Sequence, residues 1–152
     1  MGSELSVTAD GDDDVIWVSF LKLIRGGIAK LQLDKDGAQE ADSGLRVRPS
    51  GLDKDSYAET VLWLKAYWNV EPFAYDWRKD LDLAADNLKA LIETKFKDQP
   101  VHLVAHSMGG LVALYYLKYG KNPLPDDATV PAVTWAGAAN VEQVIIVGTP
   151  SA

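Results

Sequence analysis

Apolar positions repeat at helical spacing early in the chain. From 16 to 31, Trp17, Phe20, Leu21, Ile24, Ile28 and Leu31 share one face, with Lys22, Arg25 and Lys30 away from it. The spacing predicts an amphipathic segment broken into two short helices at Gly26-Gly27, either core-facing, or a mobile flap over an apolar site or an interfacial helix. The polar, glycine-bearing stretches 9–14 and 34–44 predict loops. The first, Ala-Asp-Gly-Asp-Asp-Asp, lacks the residue order and closing Glu of a calcium loop, so it reads as a solvated turn.

The second part of the chain is more regular. Asp55 or Ser56 can cap a helix carrying Tyr57, Val61, Leu64 and Trp68. Residues 70–75 read as a strand. A long helix then places Leu81, Ala84, Leu88, Leu91, Ile92 and Phe96 on one face and ends at Gln99-Pro100. Residues 101–105, Val-His-Leu-Val-Ala, form a short buried strand. Another helix runs from Met108 to Tyr119, closed by Gly120, with Lys118 and Lys121 near its negative end. After a loop with Pro123, Pro125 and Pro131 comes the strand 144–147, then Gly148-Thr149-Pro150. This alternation predicts an α/β fold, with a mainly parallel sheet flanked by helices. Strand 101–105 should be central, between the strands near 70–75 and 142–147.

Composition narrows the function. The 152 residues suffice for one domain, expected to span 1–152. Fifteen Lys and Arg against 22 Asp and Glu leave a net charge of −7, which disfavours nucleic acid as a partner. With 47% hydrophobic residues a packed core is expected. The absence of cysteine excludes disulfides, thiolate metal sites and cysteine nucleophiles. The start, Met-Gly-Ser-Glu-Leu-Ser, has no basic n-region or apolar h-region, and no stretch suits a membrane span, so the cytoplasm is the default compartment. His102 and His106, four apart in a strand, lack a third ligand, so neither a metal nor a cofactor is expected.

The chemistry lies at Ala105-His106-Ser107-Met108-Gly109, where strand turns into helix. This is the G-x-S-x-G nucleophile elbow with Ala in the first position. The serine occupies a strained turn, so its hydroxyl projects from the end of the sheet. Small residues two before and two after avoid a collision across that turn, and Gly110 gives the helix room to close on the sheet. The backbone N–H of Met108 points where an oxyanion would form. On composition alone such a triplet arises in about one chain in ten of this length, so the strand before it and the helix after it carry the reading.

Four segments resemble the lecithin:cholesterol acyltransferase family of α/β-hydrolases. Phe73-Ala74-Tyr75-Asp76-Trp77-Arg78 is similar to its Y-D-W-R segment, and 101–110 to its strand and elbow. Residues 144–150 resemble its next strand and G-T-P turn, and Met1-Gly2-Ser3-Glu4-Leu5 the end of its P-G-x-x-G-S-x-L oxyanion loop. The resemblance covers the family's N-terminal half. It implies a partial α/β-hydrolase fold and a lipase, phospholipase or acyltransferase acting on glycerolipids or sterols, with contact to a lipid interface. In the Y-D-W-R segment, Asp76 is expected to cap the following helix, Arg78 to pair with an acid and Trp77 to fill space beneath the catalytic face.

The family's triad runs Ser, Asp or Glu, then His. No histidine follows Ser107, and His106 points away from its neighbour. Asp126, Asp127 and Glu142 come too early to be the triad acid. A strand-plus-helix unit takes about 30 residues, so an eight-stranded hydrolase needs roughly 240. The first expectation is therefore a serine lipase, esterase or O-acyltransferase working through an acyl-enzyme on Ser107, represented by an incomplete chain whose base and acid lie beyond Ala152. The alternative is a non-catalytic binding module derived from such a hydrolase, its exposed sheet edge covered by a partner or by self-association. A third reading is a complete small esterase with an unusual base.

Overall fold

In the computed structural model, the chain begins with an alternation. Leu5 and Val7 alternate with Glu4, Ser6 and Thr8, the period of a strand, although Ser6 is buried as well. This is β1, Ser3–Ala9. It is the centre of a three-stranded antiparallel sheet with β2, Asp12–Trp17, on one side and β3, Arg46–Leu52, on the other. The structure describes residues 2–9, 12–17, 19, 22, 25–97, 99–120 and 129–150. It divides into two units, Gly2–Lys79 and Asp80–Ala152.

In the Gly2–Lys79 unit, Leu5, Val7, Ile16 and Leu31 form the buried cluster, with Trp17, Leu45, Val47 and Trp77 packed against it. Several expectations are corrected here. The solvated turn at 9–14 is mostly strand: Ala9 pairs with Asp12, which leaves only Asp10-Gly11 between β1 and β2, outside the described residues. The helical face expected from residue 16 begins instead in β2, because Val15 and Trp17 pair with Ser6 and Leu5 of β1, around a register shift at Ile16. Phe20, Leu21 and Ile24 of that face lie outside the described residues. Gly27–Leu31 forms a 3-10 turn after Gly26, at φ 84°. Residues 34–44 are loop as expected, with one isolated bridge, Leu33 to Glu40.

Helix α1, Lys54–Lys65, starts earlier than Asp55 or Ser56 could cap it. The chain turns at Asp53, whose N–H donates to the Gly2 carbonyl at 2.8 Å and whose carboxylate accepts from the Ser56 hydroxyl. Tyr57, Val61 and Leu64 are its less exposed side, whereas Trp68 is exposed. Residues 70–75 are not a strand. Pro72 lacks a ladder N–H, and the Tyr75 N–H donates to the Ser3 hydroxyl at 3.1 Å.

The Asp80–Ala152 unit follows the expected order. Helix α2, Leu81–Lys95, buries Ala84, Ala85, Leu88 and Ile92, and packs on α3, Met108–Tyr119. Gly120, at φ 64°, ends α3, its N–H bonded to the Tyr116 carbonyl at 2.8 Å. The strands β4, Val101–His106, and β5, Val141–Val147, pair in parallel from Val101 with Val141 to His106 with Val147. The chain is therefore α/β, but its described parallel sheet has two strands and the larger sheet is antiparallel.

Candidate functional site

Ser107 sits between β4 and α3 at φ 54° and ψ −129°. That conformation disfavours any residue with a Cβ, so tertiary bonds must hold it. Three of them do. The Ser107 N–H donates to the Val147 carbonyl at 2.9 Å, which ties the turn to the end of β5. The Ser107 carbonyl accepts from the Gly110 N–H at 3.0 Å and from the Thr149 hydroxyl at 2.7 Å. The Ser107 hydroxyl makes no capping bond to its own helix. Met108 is the first residue of α3, so its N–H is among the helical donors without an intrahelical acceptor.

The small residues around the turn are not equivalent. A Cβ on Gly110 would run into the Thr149 side chain, whereas a Cβ on Gly109 would meet nothing within 4 Å. The collision expected two residues after the serine is thus absent, and close packing falls on Gly110 against Thr149. Ala105 lies in β4, one register step from His106, and His106 is exposed with its ring beside Gly148. Thr149 is the contributor that sequence reading passed over. Its signal was the Gly148-Thr149-Pro150 turn, read there only as the end of a strand.

The other titratable candidates do not converge on Ser107. His102 faces Glu142 across the β4–β5 pair, Nε2 to Oε2 at 3.6 Å, both near the start of their strands. Five residues of strand at ~3.3 Å each put His102 about 16 Å from Ser107. Asp126 and Asp127 lie outside the described residues. Among the described residues no cluster of three His, Cys, Asp or Glu could hold a metal. Two open clefts lie in the Gly2–Lys79 unit, and Ser107 lines neither.

The Tyr75-Asp76-Trp77-Arg78 segment builds a buried ionic knot. The Arg78 guanidinium donates twice to Asp76, from Nε at 2.8 Å and Nη2 at 2.6 Å. It donates twice to Glu40, from Nη1 at 2.8 Å and Nη2 at 3.0 Å, and once to the Leu31 carbonyl at 3.0 Å. Burial opposes its charge, but the bonds to Asp76 and Glu40 outweigh that and hold Arg78 above the ordinary arginine range. Asp76 does not cap the next helix, because its carboxylate is occupied by Arg78; the N-cap is Asp80. Trp77 packs against the Leu5 cluster, its ring 5.1 Å from that of Trp17. Burial, with the Tyr57 charge adding, pushes the Tyr75 hydroxyl up to about 12.

These features define an α/β protein with a serine held at positive φ between a parallel strand and the helix that follows it. Sequence comparison is consistent with that class and specifies it. The lecithin:cholesterol acyltransferase family profile matches residues 34–151, and the chain belongs to that family. It is 30% identical to a putative phospholipid:diacylglycerol acyltransferase 2 of Arabidopsis thaliana over 158 residues, which is 88% of this chain and 24% of that protein. It is 45% identical to an uncharacterised protein of Saccharomyces cerevisiae over 49 residues, 30% of this chain and 8% of that protein. The chain therefore spans a quarter or less of the curated relatives it matches. No solved structure matches significantly.

Proposed function

We propose that this chain is the nucleophile-bearing part of a lipid acyltransferase or lipase with an α/β-hydrolase fold, and that its parallel sheet is larger in the whole protein. The observation that carries the reading is Ser107 at φ 54°, fixed by the Val147 and Gly110 backbones and by Thr149, with its hydroxyl left uncommitted to the helix. Ser107 Oγ attacks the ester carbonyl of a glycerolipid, and a base takes its proton. The Met108 N–H stabilises the oxyanion. The ester C–O bond then breaks, the departing alcohol takes the proton back, and an acyl-serine remains. An acceptor alcohol or water attacks that ester in turn and frees the serine. The name of the Arabidopsis relative favours phospholipid as acyl donor and diacylglycerol as acceptor. The base and its acid partner come from outside these 152 residues, since His102 is paired at the far end of β4.

A second reading is favoured by one observation. Val104, Ile145 and Val147 are exposed on the same face of the β4–β5 pair, as a non-catalytic interaction module would present. Labelling the full-length protein with a fluorophosphonate decides between the two. The catalytic reading expects label that Ser107→Ala abolishes. Absence of label in a folded, full-length protein would favour the interaction module.

A further inference from the structure

The chain carries a net charge of −7, yet its Gly2–Lys79 unit gathers three cations in one place. A cleft of about 180 Å³ is lined by Lys22, Arg25 and Lys30 around Gly26-Gly27, with Asp14 as its acid. Gly26, at φ 84°, stands between Arg25 and the 3-10 turn Gly27–Leu31, and Lys30 of that turn lines the same cleft as Lys22 and Arg25. Asp14 is already paired with Lys22. Among the described residues, no ion pair engages Arg25 or Lys30. Two unneutralised cations sharing a cleft repel each other, and an anion seated between them removes that repulsion.

The donor set selects the anion. A guanidinium fork with ammonium point charges beside it suits a phosphate oxygen cluster. Ile28, between the two cations in sequence, is 61% exposed, as suits a side chain entering the interface when the phosphate belongs to a lipid. We propose that the cleft is a phosphate-binding subsite in which Arg25 and Lys30 hold the phosphate of a phospholipid headgroup or of a soluble phosphate. The subsite binds without acyl transfer at Ser107, so its failure would leave the proposed function standing.

The test measures binding by the full-length protein, not turnover. Sedimentation with phosphatidylcholine vesicles, with and without phosphatidic acid, is compared with titration by inorganic phosphate. A cation near an anionic surface is worth about 1 kcal/mol, so each of Arg25→Ala and Lys30→Ala should weaken binding about 5-fold, and the pair roughly 25-fold. Lys35→Ala, outside the cleft, should leave binding unchanged, and all variants should keep the parent melting temperature because these side chains are exposed. Cation-dependent binding to phosphatidic acid vesicles with no response to inorganic phosphate assigns the lipid source. Cation-dependent binding of inorganic phosphate without vesicle binding assigns the soluble source. Binding to neither, or equal weakening by Lys35→Ala, overturns the subsite.

Discussion

Replacing Arg78 by Met removes the one cation from a knot that holds two carboxylates. The Arg78, Glu40 and Asp76 side chains are only 5%, 11% and 12% exposed, so water cannot take over the vacated positions without opening the core. All five guanidinium N–H donations are lost together. Adding five charge-assisted bonds would overcount, since each replaces hydration in the unfolded chain. Breaking one side of a buried pair is the better reference, and gives a loss of about 3–5 kcal/mol. For a chain of this size that is a fall of roughly 6–20 °C in melting temperature. Glu40→Gln keeps the shape and leaves Arg78 paired with Asp76, so it should lose only about 1–2 kcal/mol.

Urea denaturation followed by tryptophan fluorescence reads this directly, because Trp77, next to Arg78 in the chain, packs its ring against that of Trp17. Combining the two substitutions should show a coupling above about 1 kcal/mol. The raised arginine makes this stability present throughout the range below ordinary arginine titration, lost only as the pH climbs beyond it. The Arg78→Met loss should therefore gain no arginine-derived pH dependence between roughly pH 6 and 9. A loss below about 1 kcal/mol, or a larger loss for Glu40→Gln than for Arg78→Met, would refute the argument that the knot is a buried, mutually dependent unit.

Other consequences follow from the two units. Tyr75, raised from 10.0 to about 12, contributes stability that is full below pH 10 and is lost as the pH rises from 10 to 12. Alkaline denaturation of Tyr75→Phe should lack that loss, at most about 2–3 kcal/mol. Gly110→Ala should destabilise by about 1–3 kcal/mol through its collision with Thr149, whereas Gly109→Ala should be neutral or slightly stabilising in thermal melts. Ser107→Gly should relieve roughly 1–3 kcal/mol of backbone strain, while Ser107→Ala leaves melting nearly unchanged; equal melting of the two would remove strain from the account of the turn. His102→Ala should leave fluorophosphonate labelling of the full-length protein at the parent level, and loss of label would return His102 to the site.

What the sequence disclosed is what depends on neighbours in the chain. Helices α2 and α3 carry their own periodicity, β4 its own apolar run, and Gly120 marks its own stop; the burial expected of β4 fails on one face, where His102, Val104 and His106 are exposed. The turn at Ser107 was legible for the same reason, since strand, motif and helix are contiguous. The antiparallel sheet was not, although its cues were present. Leu5 and Val7 alternate with polar residues, and Asp10-Gly11 is a hairpin dipeptide. The polar run 9–14 outweighed them because a strand with acidic residues is a weak local pattern, made stable here by pairing with β1. Residues 70–75 failed in the opposite direction: Val70, Phe73 and Tyr75 suggested a strand, though Pro72 had already removed a ladder donor.

The tertiary partners at both motif segments share one property, which is distance along the chain. Glu40 meets Arg78 across 38 positions, and Thr149 meets Ser107 across 42. A single sequence carries no record of such pairs, because each member is locally ordinary: Glu40 is a loop acid, and Thr149 a turn hydroxyl. Both nevertheless fix the atoms on which the short motifs depend. Without Glu40 the Arg78 fork would keep only Asp76 and the Leu31 carbonyl, and the 32–41 loop would lose this tie to Arg78. Without Thr149 the Ser107 carbonyl would keep only its bond from Gly110. The residues that make these motifs recognisable are contiguous, and residues some forty positions away hold them in place.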